Sequence, residues 1–381
     1  MTVWLFVAFA IIFGALVYAH FALAYRAWRI SRQEQPSDID PSYVKLEDYF
    51  ARSFRSKVSQ WLNLPVQAAK PDGSLLINKG RERIRVTQSI GFRPQSRSDD
   101  ILVVRGTFHC RAGCVFSREI YVRGDAWIGA GTRLQSIAAD GNVTLGSSVH
   151  VARWADSRGD LHVGANSIVR ARATAGGILV LGDGAEVGAA FASTVSSVRH
   201  GHKEAAETAD EPRPRLQIPL VEADGGTGHA RPAHGVDPGR IKMLGDDSCL
   251  YDGDFKPFAG LRVTTKLIVK GDCTIPAGSV LESDLKAKGF VHVGSGSVCR
   301  GNVISEGEIR FDGGSWFYGV VHAGKTLRLG SGVCGGRMDA SVAAFSADTL
   351  FIESGVVVHG KVASGTRVVA TSAIGKRSSS L

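Results

Sequence analysis

The chain has 381 residues and a net charge of +9, room enough for two domains or one long repeat array. Its 46 glycines against 7 tyrosines and 6 tryptophans, with frequent Val, Ile and Leu, suit short strands joined by tight corners. The charge is dispersed rather than gathered in runs. It admits an acidic lipid or polysaccharide as partner, and no motif points to nucleic acid.

Thr2–Tyr25 carries no charged side chain and is long enough to span a bilayer as a helix. Arg26, Arg29 and Arg32 follow it, so the positive-inside rule places the bulk of the chain in the cytoplasm, on a single-pass inner-membrane anchor over 1–28. The alternative is a cleaved signal ending near Ala22-Leu23-Ala24. Residues 29–45 form a polar linker. Over 46–64, Leu46, Phe50, Phe54, Val58, Trp61 and Leu62 recur at helical spacing and predict an amphipathic helix, with Arg52, Arg55 and Lys57 mostly off the apolar stripe. That helix is expected either to cap the first coil of the array or to lie on the anionic inner leaflet, the cap being favoured.

A ladder then occupies 65–194. Gly146, Gly164 and Gly182 are 18 residues apart, and the apolar positions move with them: Val143, Leu161 and Leu179, then Leu145, Val163 and Leu181, then Val151, Val169 and Val187. A period near 18 with two-residue alternation inside each unit marks a parallel β-solenoid, whose units bury their apolar faces only by stacking. Residues 195–258 break the pattern with Gly, Pro, His and acidic residues and read as an irregular insertion. Its histidines, His200, His202, His229 and His234, have no carboxylate or thiol at ligand spacing.

The period returns over 259–371. Cys273, Val291, Ile309 and Leu327 form one predicted core column, and Ile275, Val293, Phe311 and Leu329 another. Gly278, Gly296, Gly314 and Gly332 keep the same step, as do Val280, Val298, Trp316 and Cys334. Cys273 and Cys334 are expected to point inward. After Gly332 the step lengthens to Gly355, which predicts a bulge over Arg337–Asp348. Residues 372–381 are a basic tail. The predicted fold is thus an all-β, right-handed parallel β-helix in two blocks that together make about ten coils, either one continuous rod or two side by side, with glycine at corners that need positive φ or close backbone approach.

Gly294–Ala340 carries Gly296-Ser297-Val298, Gly301-Asn302-Val303, Gly307-Glu308-Ile309 and Gly319-Val320-Val321. This text resembles the bactofilins, the polymer-forming cytoskeletal family. The resemblance implies a right-handed β-helix that self-associates through its ends without nucleotide. It also implies an association with the membrane and a scaffold role among envelope or polysaccharide partners. The N-terminal span, the two blocks and the long insertion depart from that family.

The enzymatic alternative is a hexapeptide-type acyltransferase on a membrane-tethered β-helix, with His150, His162, His292, His322 or His359 as general base. Glycine recurs once or twice per 18 residues rather than three times, so no catalytic residue, cofactor or metal is assigned. The CxxxC of Cys110 and Cys114 lacks a second ligand pair. Asp272, Asp284, Glu306, Glu308 and Asp312 form no evident column of the kind a lyase or hydrolase needs. One outward row, His292, Arg310 and Arg328, predicts a basic stripe able to hold an anionic glycan, a lipid headgroup or an acidic protein tail.

Overall fold

The computed structural model describes residues 47–69, 72–80, 82–197, 218–219, 236–245, 247–258 and 260–372. From Phe50 onward they form one compact unit, a right-handed β-solenoid of about 14 turns. At ~4.8 Å per turn its stacked coils extend on the order of 65 Å. No helix among the described residues is long and apolar enough to cross a membrane; Thr2–Tyr25 lies outside them.

Each coil has three faces. Face I is a 14-stranded sheet that includes Val143–Leu145, Leu161–Val163 and Ile178–Leu181, paired in parallel. Face II includes Cys273–Ile275, Val291–Val293, Ile309–Phe311 and Leu327–Leu329. Face III includes Leu285–Ala287, Val303–Ser305 and Val321–Ala323. Cys273, Val291, Ile309 and Leu327 are in register and fully buried, as are Ile275, Val293, Phe311 and Leu329. One contiguous apolar core runs through both blocks. Cys334 departs from expectation. On face I the inward position of its strand belongs to Gly335, whose Cβ would strike the buried Phe317 ring. Cys334 pairs with Trp316 on the outer phase, although it too is buried.

The corners divide the glycines into two kinds. In block 2, Gly278, Gly296, Gly314, Gly332 and Gly355 have φ between 66° and 77°. In block 1 the matching left-handed positions belong to Gly131, Ser148, Asn166 and Gly184. Gly146, Gly164 and Gly182 serve close approach instead: a Cβ on Gly164 would lie 2.5 Å from the Gly146 carbonyl.

The two blocks are one rod, joined tail to tail. Glu186–Phe191, the last face II and III strand of block 1, pairs antiparallel with Gly360–Thr371, the last strand of block 2. On face I, Thr194–Ser197 pairs antiparallel with Val357–Val358. Backbone bonds close the corners of this seam, from Gly184 N to Ala370 O at 2.8 Å and from Ala370 N to Ala185 O at 2.9 Å. Block 2 therefore starts at the far end of the rod. Its first solenoid strand there, Ser248–Tyr251, falls inside the stretch read from sequence as insertion.

Tyr49–Trp61 is the predicted amphipathic helix, here α1. It does not cap the first coil. Ala51, Phe54, Val58 and Trp61 are buried with Ile77, Ile84, Val103, Ala138 and Trp154 on the outer side of face III of block 1. Phe50 at one end of α1 meets Arg172, and Trp61 at the other joins the first coils. About 18 Å of helix thus covers about four coils. The small outward residues Ser136 and Ala138 leave room for it. Its apolar face is used inside the rod and is not free for a leaflet.

Arg55 also departs from the sequence reading, because it sits in this interface. Its Nε is 2.9 Å from Asp140 and its Nη2 2.5 Å from Asp156, both carboxylates being mostly buried. The end of the rod is closed instead by antiparallel strands, Leu75–Lys79 on Glu82–Thr87. At the other end Ile241–Met243 lies antiparallel on Ser248–Tyr251.

Candidate functional site

On face II the outward residues of all coils form one column along the rod. In block 2 it runs Thr274, His292, Arg310, Arg328, Phe351 and Val369. Across the seam it continues through Glu186, Ile168, His150, Arg133, Val115 and Arg97. The predicted row of His292, Arg310 and Arg328 is therefore real and forms part of a longer feature.

Its charges are answered on the spot. His292 Nε2 lies 2.7 Å from Asp312, and Arg310 Nε 3.0 Å from the other oxygen of the same carboxylate. Arg328 Nε lies 3.0 Å from Glu308, with its guanidinium 4.4 Å from the Phe351 ring centroid. Two carboxylates thus face three potential cations, which leaves little net field for an anion.

Block 1 is different. Nearly all of the chain's positive excess falls within residues 50–197. On face II, Arg133 and His150 stand on adjacent rungs. Arg170 Nε donates to His150 Nε2 at 3.2 Å. Burial, then Arg170, then Arg133 hold the His150 imidazole below its ordinary pKa.

The remaining histidines stand apart from one another. His162 points outward from face I and His322 from face III. His359 sits at the seam, 3.0 Å from the Thr194 hydroxyl, with burial lowering its pKa. All six cysteines are free and buried. Burial raises the Cys110 thiol to about 11 and the Cys299 thiol to about 12, so these groups stay protonated and inert at neutral pH. Among the described residues no three potential ligands gather as a metal site.

The acidic residues hold corners together, which the sequence reading missed. Asp125 Oδ1 accepts from Asn142 N, Asn142 Oδ1 from Asp160 N, and Asp160 Oδ1 from Ile178 N, at 2.7–2.8 Å. Block 2 repeats the device from Asp254 to Asp272 to Phe290, and from Asp284 to Asn302 to Val320. A step of 17 or 18 between Asp and Asn was the available signal. Ser279, Ser297 and Ser315 form a second ladder, fully buried, whose hydroxyls bond to corner carbonyls.

Apolar side chains are exposed at the far end of block 2. Met243 is 46% and Phe258 85% exposed, and Leu244 lies beside them in sequence at 44%. Among the described residues, Ile241–Met243 pairs with Ser248–Tyr251 alone. Comparison with known proteins finds no matching family model, curated protein or solved structure.

Proposed function

We propose that the chain is a membrane-anchored, bactofilin-like β-helical scaffold that does not catalyse a reaction. On this reading it organises envelope or polysaccharide-related partners at the cytoplasmic face of the inner membrane. Its anchor is the apolar segment Thr2–Tyr25, and its working part is the rod.

The observation that carries the proposal is the seam. Two coil stacks of this chain already join end to end through antiparallel backbone pairing, so coil ends of this sequence are competent for edge-to-edge association. The far end of block 2 offers the surface for a further junction between copies, with Met243, Leu244 and Phe258 exposed beside the strand Ile241–Met243, which among the described residues pairs with Ser248–Tyr251 alone. The end of block 1 is closed by a hairpin whose outermost strand, Ala68–Ala69, is two residues long, a length that limits pairing.

The test is microscopy and sedimentation of the full chain in lipid nanodiscs across a range of concentration. Rods joined in pairs through one end are expected, and Met243→Glu with Phe258→Glu should return them to single rods. Single rods at every concentration would remove self-association. Recovery of the native chain in the soluble fraction, cleaved near Tyr25, would remove the anchor. Turnover of an acyl-CoA by the purified chain would replace the scaffold reading with the acyltransferase one.

A further inference from the structure

Cations of face II are matched by carboxylates in block 2, and in block 1 at Arg97 by Asp99, but not at Arg133 and Arg170. Arg133 and Arg170 have no carboxylate partner among the described residues. The acidic groups on the elements around them are engaged elsewhere. Glu186, two rungs from His150 in the same column, faces Arg367 at 3.1 Å, and Glu119 faces Arg153 at 3.5 Å. The pairing Leu134–Val151–Val169 sets Gln135, Ala152 and Arg170 on three successive rungs of the neighbouring outward column. Ala152, on the middle rung, carries only a methyl beside His150. We infer that the Arg133, His150 and Arg170 side chains form an oxyanion site of phosphate type.

The chemistry follows from the donors. Each guanidinium presents a planar fork that fits two oxygens of a phosphate. Because Arg170 donates to His150 Nε2, the imidazole there is neutral, with its proton on Nδ1. A phosphate dianion matches two guanidiniums in charge, and three non-bridging oxygens give each of the three side chains an acceptor. A lone carboxylate would satisfy one fork and leave the other cation unmatched. An arriving anion also opposes the two positive charges that hold His150 below its ordinary pKa. Binding therefore raises the pKa of the imidazole. The same phosphate chemistry is carried by free phosphate and by a phosphomonoester lipid headgroup. The inference stands apart from whether the rod self-associates.

The experiment follows His150 in the full chain by NMR of labelled histidine, titrated with inorganic phosphate. A parallel arm uses phosphatidylcholine vesicles with and without phosphatidic acid. Phosphate is expected to raise the His150 pKa while His162 and His322 stay put, and Arg133→Gln or Arg170→Gln to weaken phosphate binding by about 10- to 100-fold. His150→Gln should retain binding and leave only the phosphate's own second ionisation in its pH dependence. A response to phosphatidic acid vesicles at far lower phosphate than the free ion requires identifies a headgroup as the source. A response to free phosphate alone identifies the small anion. No movement of His150 in either arm, or undiminished binding in the folded double variant R133Q/R170Q, would overturn the site.

Discussion

Block 1 carries a helix along its face III; in block 2 no described helix covers that face. The difference shows how one coil design is stabilised in two ways. In block 2 the step of 18 holds up to Gly332, before the one 23-residue step to Gly355, and the left-handed corners fall on glycine. Its outward face III column keeps Ile268, Ile304 and Phe345 half-buried beside Lys286 and His322. In block 1 the period slips between 16 and 18, Ser148 and Asn166 take two of the left-handed corners in place of glycine, and α1 supplies the apolar cover that the coils lack. The inner column of face III shrinks along the way, from Leu102, Ile120 and Ile137 to Ala155, Ala173 and Ala190. Block 1 is therefore expected to depend on packing outside its coils and block 2 on packing within them.

Removing the helix contact tests this most severely. Phe54 packs edge-on to Trp61 and Trp154, with ring centroids 6.1 Å and 5.8 Å away. Phe54→Ala should cost about 4 kcal/mol. Hydrogen exchange should locate the loss in block 1 while amides of the Val291, Ile309 and Leu327 strands keep their protection. Equal loss in both blocks would show that the rod opens as one cooperative unit.

Arg55→Ala comes next. It leaves Asp156, which is 3% exposed, without its cation, although Thr174 Oγ1 still donates to that carboxylate at 2.6 Å. A loss of about 3 kcal/mol is expected by thermal or denaturant unfolding. Arg55→Met with Asp156→Leu should recover part of it, since the more deeply buried carboxylate is then gone while Asp140 keeps Arg158 as its cation, at 3.5 Å.

The glycines sharpen the comparison further. Gly164→Ala in block 1 drives a methyl into the Gly146 backbone, so about 2 kcal/mol is expected from overpacking. Gly296→Ala in block 2 meets nothing within 4 Å and bears only the strain of φ at 66°, about 1 kcal/mol. Similar losses at the two sites would mean that close approach and left-handed strain are not separable here.

These contrasts also mark what sequence could reveal. The columns of Cys273 and Ile275 were legible because a parallel register repeats each inward position at a fixed step. The two roles of corner glycine were not, since periodicity gives position and not φ. The place of α1 was hidden because amphipathicity states that a face is buried and not against what. Cys334 was misplaced because Gly335 holds the inward position with no side chain, so the apolar neighbour took its place in the pattern. The tail-to-tail seam lay beyond reach as well, because antiparallel pairing across it joins residues with no repeat relation. Thr194–Ser197 sits at the seam and Ile218–Pro219 pairs with Leu261–Val263 at the far end, about 30 Å away along the rod. As for the site, the spacing of His292, Arg310 and Arg328 exposed a row but not the carboxylates opposite it.

The smallest effect is expected at the seam, the one place where the two blocks share a titrating group. Burial lowers the His359 pKa, and the Thr194 hydroxyl is its partner across the junction. A lowered pKa means that the unfolded chain binds the proton more readily. Stability is therefore full above the ordinary histidine value and falls as pH drops below it, levelling out once the folded pKa is passed. The loss should be modest because the ring is only partly buried. It should appear as a decline in unfolding midpoint below about pH 6.5 that His359→Gln reduces, the remainder following His150, whose pKa is lowered as well. If the decline is undiminished by that substitution, the acid sensitivity belongs to another group. Glu186 with Arg367 is then the next pair to remove, because it crosses the same seam with both side chains partly in water.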